Sequence, residues 1–220
     1  MSPREEPDYP PPGRGEPHWP AQLTIAAAIA LQLLLPHRLV AGPPWLLPAL
    51  ESLVLVSLVI ASPQRVVAPH AVRRRLGIGV TALASIGNGI SLVLLAHLLL
   101  HRRVTNGDRL IVAGSLIWLT NVLIFSLWYW ENDRGGPGRR AAGQDNLPDM
   151  LFPQMSDARC APGWRPVFAD YLYVSLTNAT AFSPTDTMPL TLAAKGLMGL
   201  QSLVSLVTLG LVVSRAVNIL

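Results

Sequence analysis

Four residues near the end of the chain carry the side chains best suited to meeting an ion in a confined space: Thr177, Asn178, Thr180 and Asp186. Hydroxyl, amide and carboxylate oxygens can replace part of an ion's hydration shell, and rings of such groups set selectivity at channel constrictions. With Phe182, which stands among them in the sequence, they make the five candidate pore-lining residues. A second chemical feature is Glu51, inside the apolar run that starts at Trp45, about 9 Å in from that tryptophan by helix rise. Two readings of Glu51 stand: an acid marking an ion or proton path through the membrane, or an interfacial acid meeting His37, Arg38 or water. His97 and His101 lie one helical turn apart, but two imidazoles are too few for zinc, which takes three or four protein ligands. They are read as interfacial packing, and no metal or cofactor is expected. The chain has no Gly-rich phosphate loop, HExxH pair or nucleophile elbow, and enzymatic activity is not expected.

The elements that must position the five residues are legible in their surroundings. FADYLYVSLTNATAF reads as a helix of only about 22 Å, short of the hydrocarbon layer of about 30 Å, whereas TLAAKGLMGLQSLVSLVTLGLVVSRAVNIL can cross it. The segment SPTDTMPL joins them. The expected arrangement is a re-entrant helix followed by a spanning helix, with the joining backbone covered by protein or a water-filled cavity. Asp170 is placed as the N-cap of the short helix, and Ser183 with Asp186 as a capping box for the last one. Gly196, Gly199, Ser202 and Ser205 recur every three residues, a face on which the last helix can pack closely, so that Gly199→Leu would disrupt it.

Composition assigns the class. Half of the 220 residues are hydrophobic and 14% are charged, and the charges fall between long apolar runs. The fold class is therefore all-α, a polytopic membrane helix bundle of about five transmembrane helices plus one short re-entrant helix before the last span. The bilayer is the expected partner, at the cell membrane in a multi-pass arrangement. The net charge of +4 is read as topology and headgroup contact, with no nucleic-acid partner. Residues 1–18 form a disordered tail, 19–130 hold four transmembrane helices, 131–167 a long polar connection, and 168–220 the re-entrant helix and final span. In the third span Gly77, Thr81, Ser85 and Gly89 recur every four residues and predict a close helix contact, with Asn88 beside them bonding across to Asn121 or Thr120. The fourth span ends in Trp128, Tyr129 and Trp130, read as an aromatic belt at one membrane boundary, with Glu131, Asp133 and Arg134 as the solvated charges beyond it.

From Asp170 to Leu220 the layout resembles the pore helix, filter and inner helix of tetrameric potassium-type channels. SLTNAT is similar to the end of the pore helix, SPTDTMPLT to the filter exit, and Lys195–Gly210 to the inner helix. No glycine lies between Gly163 and Gly196, so the resemblance implies a filter of non-potassium type, with Thr180, Phe182 and Asp186 as its filter-like positions. The same stretch, DYLYVSLTNATAFSPTDT followed by a helix ending in Val217-Asn218-Ile219-Leu220, is also similar to a family of uncharacterised bacterial multi-pass membrane proteins. That likeness implies an inner-membrane protein without an assigned activity.

Two functions follow as expectations. A pore-like ion channel would be a homo-oligomer, a tetramer if channel-like, with Thr177, Asn178, Thr180 and Asp186 on a shared axis. A non-conducting structural or accessory membrane protein would instead use those same groups to satisfy one another inside the bundle. If four spans precede the long connection, the tail, the loop carrying Arg65 and Arg73–Arg75, and residues 131–167 share one side of the membrane.

Overall fold

A computed structural model of the chain describes residues 16–40, 42–60, 70–101, 107–141, 147–156, 164–181 and 186–217. Among them are seven α-helices: α1 (Trp19–Leu33), α2 (Leu46–Ile60), α3 (His70–His101), α4 (Gly107–Asn132), α5 (Pro137–Ala141), α6 (Phe168–Ala181) and α7 (Leu192–Val217). Two short strands, β1 (Met150–Leu151) and β2 (Met188–Pro189), pair antiparallel. Phe182 and the Ser183 half of the expected capping box lie outside the described residues.

Three helical stretches, Val72–His101, Asp108–Gly135 and Leu192–Val217, are long and apolar enough to cross a membrane. Helices α1 and α2 are apolar but only 15 residues each, about 22 Å long, and fall short of a hydrocarbon layer of about 30 Å. The all-α class holds, with three long candidate spans where about five were expected.

Helix α4 is the hub, packed against α1, α3, α6 and α7. Its neighbours fix the directions of the chain. Gly77 of α3 lies beside Glu131 near the end of α4, while Leu95 lies beside Gly114 near its start, so α3 and α4 are antiparallel. Asn121 of α4 bonds Ser205 of α7, and Gly114 abuts Val212, so α7 is also antiparallel to α4. The bundle thus has two ends. At one end lie Glu16, the start of α1, the start of α3 and the finish of α4; His101 and the start of α4 lie at the other.

Close helix approach occurs at positions other than the regular small-residue faces suggested. A Cβ added at Gly87 would stand 2.2 Å from Leu47, and one at Gly114 2.3 Å from Val212, whereas Gly89, Gly196 and Gly199 have no such neighbour within 4 Å. Gly77 and Thr81 do face protein: a Cβ at Gly77 would meet Glu131 at 2.9 Å, and Thr81 is buried. Ser85 takes part by accepting the indole N–H of Trp128 at 2.9 Å. The expectation for Gly89, Gly196 and Gly199 is therefore corrected. These residues lie on the outside of the chain, where a side chain meets only what surrounds the bundle.

The aromatic belt is corrected too. Tyr129 and Trp130 are 0% and 4% exposed, turned into the core with Phe125, Phe168 and Tyr171, because α4 is covered on several sides. Asn88 makes no bond to Asn121 or Thr120: Asn121 is engaged by Ser205, and the buried Asn88 Oδ1 and Thr120 hydroxyl have no hydrogen-bond partner. The rings of His97 and His101 stack at 4.5 Å on an exposed face.

Replacing Gly114 by leucine forces a side chain against the β-branched Val212 on a helix pinned by α4. The expected loss is about 1–3 kcal/mol, read as a fall in the thermal unfolding midpoint of the detergent-solubilised chain. Gly199→Leu, which meets no neighbour, is expected to leave that midpoint unchanged.

Candidate site: the short helix α6 and its two polar anchors

Why α6 begins where it does is a matter of capping. Val167 precedes the first helical residue, and its N–H donates to the Asp170 carboxylate at 2.7 Å. Asp170 is thus the third helical residue reaching back, the acidic half of a capping box, and not the N-cap itself. Helix α7 starts with the hydroxyl of Thr191, which accepts the N–H of Ala194 at 3.2 Å. The cap of α7 is therefore Thr191, and Asp186 stands ahead of it, exposed, before β2.

Both helix starts are tied to one end of α4 by two carboxylates. Asp133 is fully buried. It accepts the phenolic O–H of Tyr171 at 2.7 Å on one oxygen, and on the other the N–H groups of Asp149 at 2.9 Å and Met150 at 3.4 Å. Asp149 in turn accepts the N–H of Arg134 at 2.9 Å and the hydroxyl of Thr191 at 2.7 Å. Its own carbonyl takes the N–H of Leu190 at 2.9 Å, extending the β1–β2 pairing. The start of α6, the start of α7 and the finish of α4 therefore meet in one knot.

Above this knot Arg140 closes the surface. Its guanidinium makes a two-pronged pair with Glu16, at 2.7 and 3.0 Å, and also donates to the carbonyls of Trp130 and Asp133 at 2.9 and 2.7 Å. It lies 5.4 Å from the centre of the Tyr171 ring. Burial pushes the Arg140 guanidinium down, but the bonds to Glu16 and the negative groups around it outweigh that effect and hold its pKa above the usual value. Losing this cation would strip Glu16 of two of its three donors, leaving only the indole N–H of Trp130 at 2.8 Å, and would take a donor from each of the two carbonyls. The reversal of direction after α4 depends on Gly136, whose φ is +96° and whose added Cβ would meet the Glu131 carbonyl at 2.9 Å.

The second anchor lies along the shared interface of α4, α6 and α7. Gln201 of α7 donates to the Ser175 carbonyl and hydroxyl at 2.9 and 2.7 Å, and its oxygen accepts from Asn178 at 2.9 Å and from the Tyr129 hydroxyl. Asn178 also donates to the Met198 carbonyl at 3.0 Å and accepts from Ser202 at 3.1 Å. Ser175 passes its own proton to the Val122 carbonyl at 2.7 Å. Asn178, Gln201 and Ser175 are at most 1% exposed. Fully satisfied amides of this kind hold a unique register, whereas a half-satisfied one would be costly at this depth.

The five candidate pore-lining residues separate. Asn178 is removed from any outer axis because its amide is consumed inside the chain. Thr177 bonds back to the Tyr173 and Val174 carbonyls, and Thr180 to that of Leu176 at 2.6 Å. Thr180 and Asp186 are exposed, Thr177 half-buried. Glu51 is 1% exposed and takes the Gln32 amide at 3.3 Å, a partner other than His37 or Arg38.

Sequence reasoning missed Asp133, Asp149, Arg140, Tyr171 and Gln201. The first three read as solvated charges of a polar connection. Gln201 carried a signal, as an amide amid apolar residues of the last helix. Among the described residues no cluster of three or more His, Cys, Asp or Glu could hold a metal ion. No family model, curated protein or solved structure matches the chain.

Gln201→Leu removes the partner of Asn178, Tyr129 and Ser175 together. It is expected to cost about 1–3 kcal/mol, measured by chemical or thermal unfolding in detergent. In a double-mutant cycle with Asn178→Leu, the double variant is expected to lose less than the sum of the two single losses.

Proposed function

We propose that this chain is a non-conducting integral membrane protein of structural or accessory type, in which the re-entrant helix is a locked insert. The observation that supports it is the inward use of the polar groups of α6. Asn178 and Ser175 spend their hydrogen bonds on Gln201, Tyr129, Met198 and Val122, and Thr177 and Thr180 spend theirs on their own helix. A conduction path needs polar oxygens presented to the permeant species, and those of Asn178, Gln201 and Ser175 are turned inward instead. The bilayer is the immediate partner of such a protein, and its outer apolar faces are available to lipid or to another membrane chain.

One observation favours a second reading, a pore formed between copies. Thr180, Asp186, Gly196 and Gly199 lie on the outside of the chain, where a symmetric homo-oligomer, tetrameric by analogy with potassium-type channels, would bring them onto an axis.

Reconstitution into liposomes separates the two. On the structural reading, folded protein is expected to carry no potassium, sodium, proton or chloride flux above that of empty vesicles, and Asp186→Asn changes nothing. Flux that rises or falls with Asp186→Asn would establish the pore and remove the structural reading.

A further inference from the structure

The bundle end that holds the knot also holds a cavity that neither anchor uses. It lies between α1, α3 and α4, with a volume of about 430 Å³. Its rim carries four arginines: Arg73, Arg74 and Arg75 from the first turns of α3, and Arg139 from α5. The only salt bridge found among the described residues joins Arg140 to Glu16, so these four cations have no carboxylate at bonding distance. Arg73 donates to the His18 ring at 2.6 Å, which as an acceptor is a neutral imidazole and brings no negative charge; Glu131 is the carboxylate whose field Arg73 and Arg74 share, without forming an ion pair with either.

Two buried polar atoms at the rim lack hydrogen-bond partners. Arg74 Nε has no acceptor, and Glu131 Oε2 has no donor, although Glu131 is only 8% exposed. Buried donors and acceptors left unmet are costly. A ligand supplying an anionic oxygen to Arg74 and a hydroxyl or ammonium proton to Glu131 would remove both costs.

The cavity changes character with depth. Ile25 of α1, Leu58 of α2 and Leu127 of α4 line it. Ile25 lies seven residues along α1 from His18, about 10 Å inward by helix rise, and Leu127 lies one helical turn in from Glu131. Arginine heads at the end of the bundle and aliphatic side chains deeper in match a molecule with an anionic head and an apolar tail. The order along the membrane normal is the one a lipid has. Guanidinium groups suit phosphate because their planar N–H forks pair with its oxygens.

The geometry points to a binding site for a phosphate-bearing amphiphile in this cavity, its phosphate held by Arg73, Arg74, Arg75 and Arg139, a head-group hydroxyl or ammonium on Glu131, and one acyl chain against Ile25, Leu58 and Leu127. The site would give the arginine-rich end a specific lipid, where a solvated basic patch would bind anionic headgroups without choice.

Native mass spectrometry of the full chain in a neutral detergent tests the assignment, with monoacyl phosphatidylglycerol as the probe. Inorganic phosphate and a monoacylglycerol of the same chain length serve as the two comparison arms. One probe molecule is expected to remain bound per chain. Arg139→Gln, at an exposed position where folding is not at stake, and Arg74→Gln are each expected to weaken binding about tenfold. Leu127→Trp is expected to abolish it by filling the floor, and Arg38→Gln at the other end of the bundle to leave it unchanged. Equal binding of the monoacylglycerol would reduce the cavity to an apolar groove. Equal binding of inorganic phosphate would make it a free-anion site. Parent-like affinity in Arg139→Gln and Arg74→Gln would show that the arginines hold no phosphate. Each of these three results overturns the assignment.

Discussion

The buried carboxylate of Asp133 is the constraint on which the rest of the structure depends. A carboxylate withdrawn from water is stable only when its lone pairs are used, and here three donors converge on it: the Tyr171 hydroxyl and the N–H groups of Asp149 and Met150. Tyr171 belongs to the first turn of α6, and Asp149 carries the bond to Thr191 at the start of α7. Satisfying one charge therefore forces two successive helices to begin at the same end of the bundle. A 14-residue helix of about 21 Å that starts there cannot reach the far side of a hydrocarbon layer of about 30 Å. The chain must turn back to the level it left before α7 can start, and the pairing of β2 with β1 marks where it returns.

The second anchor works at a different level. In a bilayer, burial of apolar surface does not by itself drive helices together, so close packing and hydrogen bonds between helices decide register. Gln201, Asn178, Ser175 and Tyr129 supply these bonds where α4, α6 and α7 meet, and Gly114 lets α4 and α7 approach. The outward faces are left apolar: Leu200, Leu203, Leu206 and Val213 of α7 are all exposed. The amides and hydroxyls of this anchor thus face the interior of the module, while the arginines of α3 and α5 gather at one end of the bundle. That division underlies both the structural reading of α6 and the amphiphile site.

Much of this architecture could be read from the residues. The apolar runs marked the helices, and their lengths separated the short α6 from the long α7. The polar cluster at residues 175–180 was visible, but not its direction. Helical spacing tells which side chains share a face, and it does not tell whether that face meets another helix of the same chain or the outside. For that reason Asn178 read as pore-lining, and Gly89, Gly196 and Gly199 read as packing faces. Asp133 and Asp149 were opaque for another reason. A carboxylate in a polar connection reads as solvated unless its donors are known, and those donors are backbone N–H groups and a tyrosine 38 residues away. Trp130 and Tyr129 misled because an aromatic ring at the end of an apolar run can fill a core as well as sit in the headgroup zone.

The central claim is that α6 enters and leaves at one end of the bundle, and the sidedness of two exposed positions tests it most directly. With the single native cysteine, Cys160, replaced by serine, cysteines introduced at Ala169 and at Leu192 would be labelled by a membrane-impermeant maleimide in sealed, oriented vesicles. A cysteine at Asp108, exposed at the start of α4 at the opposite end, is the reference. Labelling of positions 169 and 192 from the same side, with position 108 reactive only from the other, is the result the Asp133 knot requires. Labelling of 169 and 192 from opposite sides would mean that the polypeptide between them crosses the membrane, and the re-entrant architecture would be wrong.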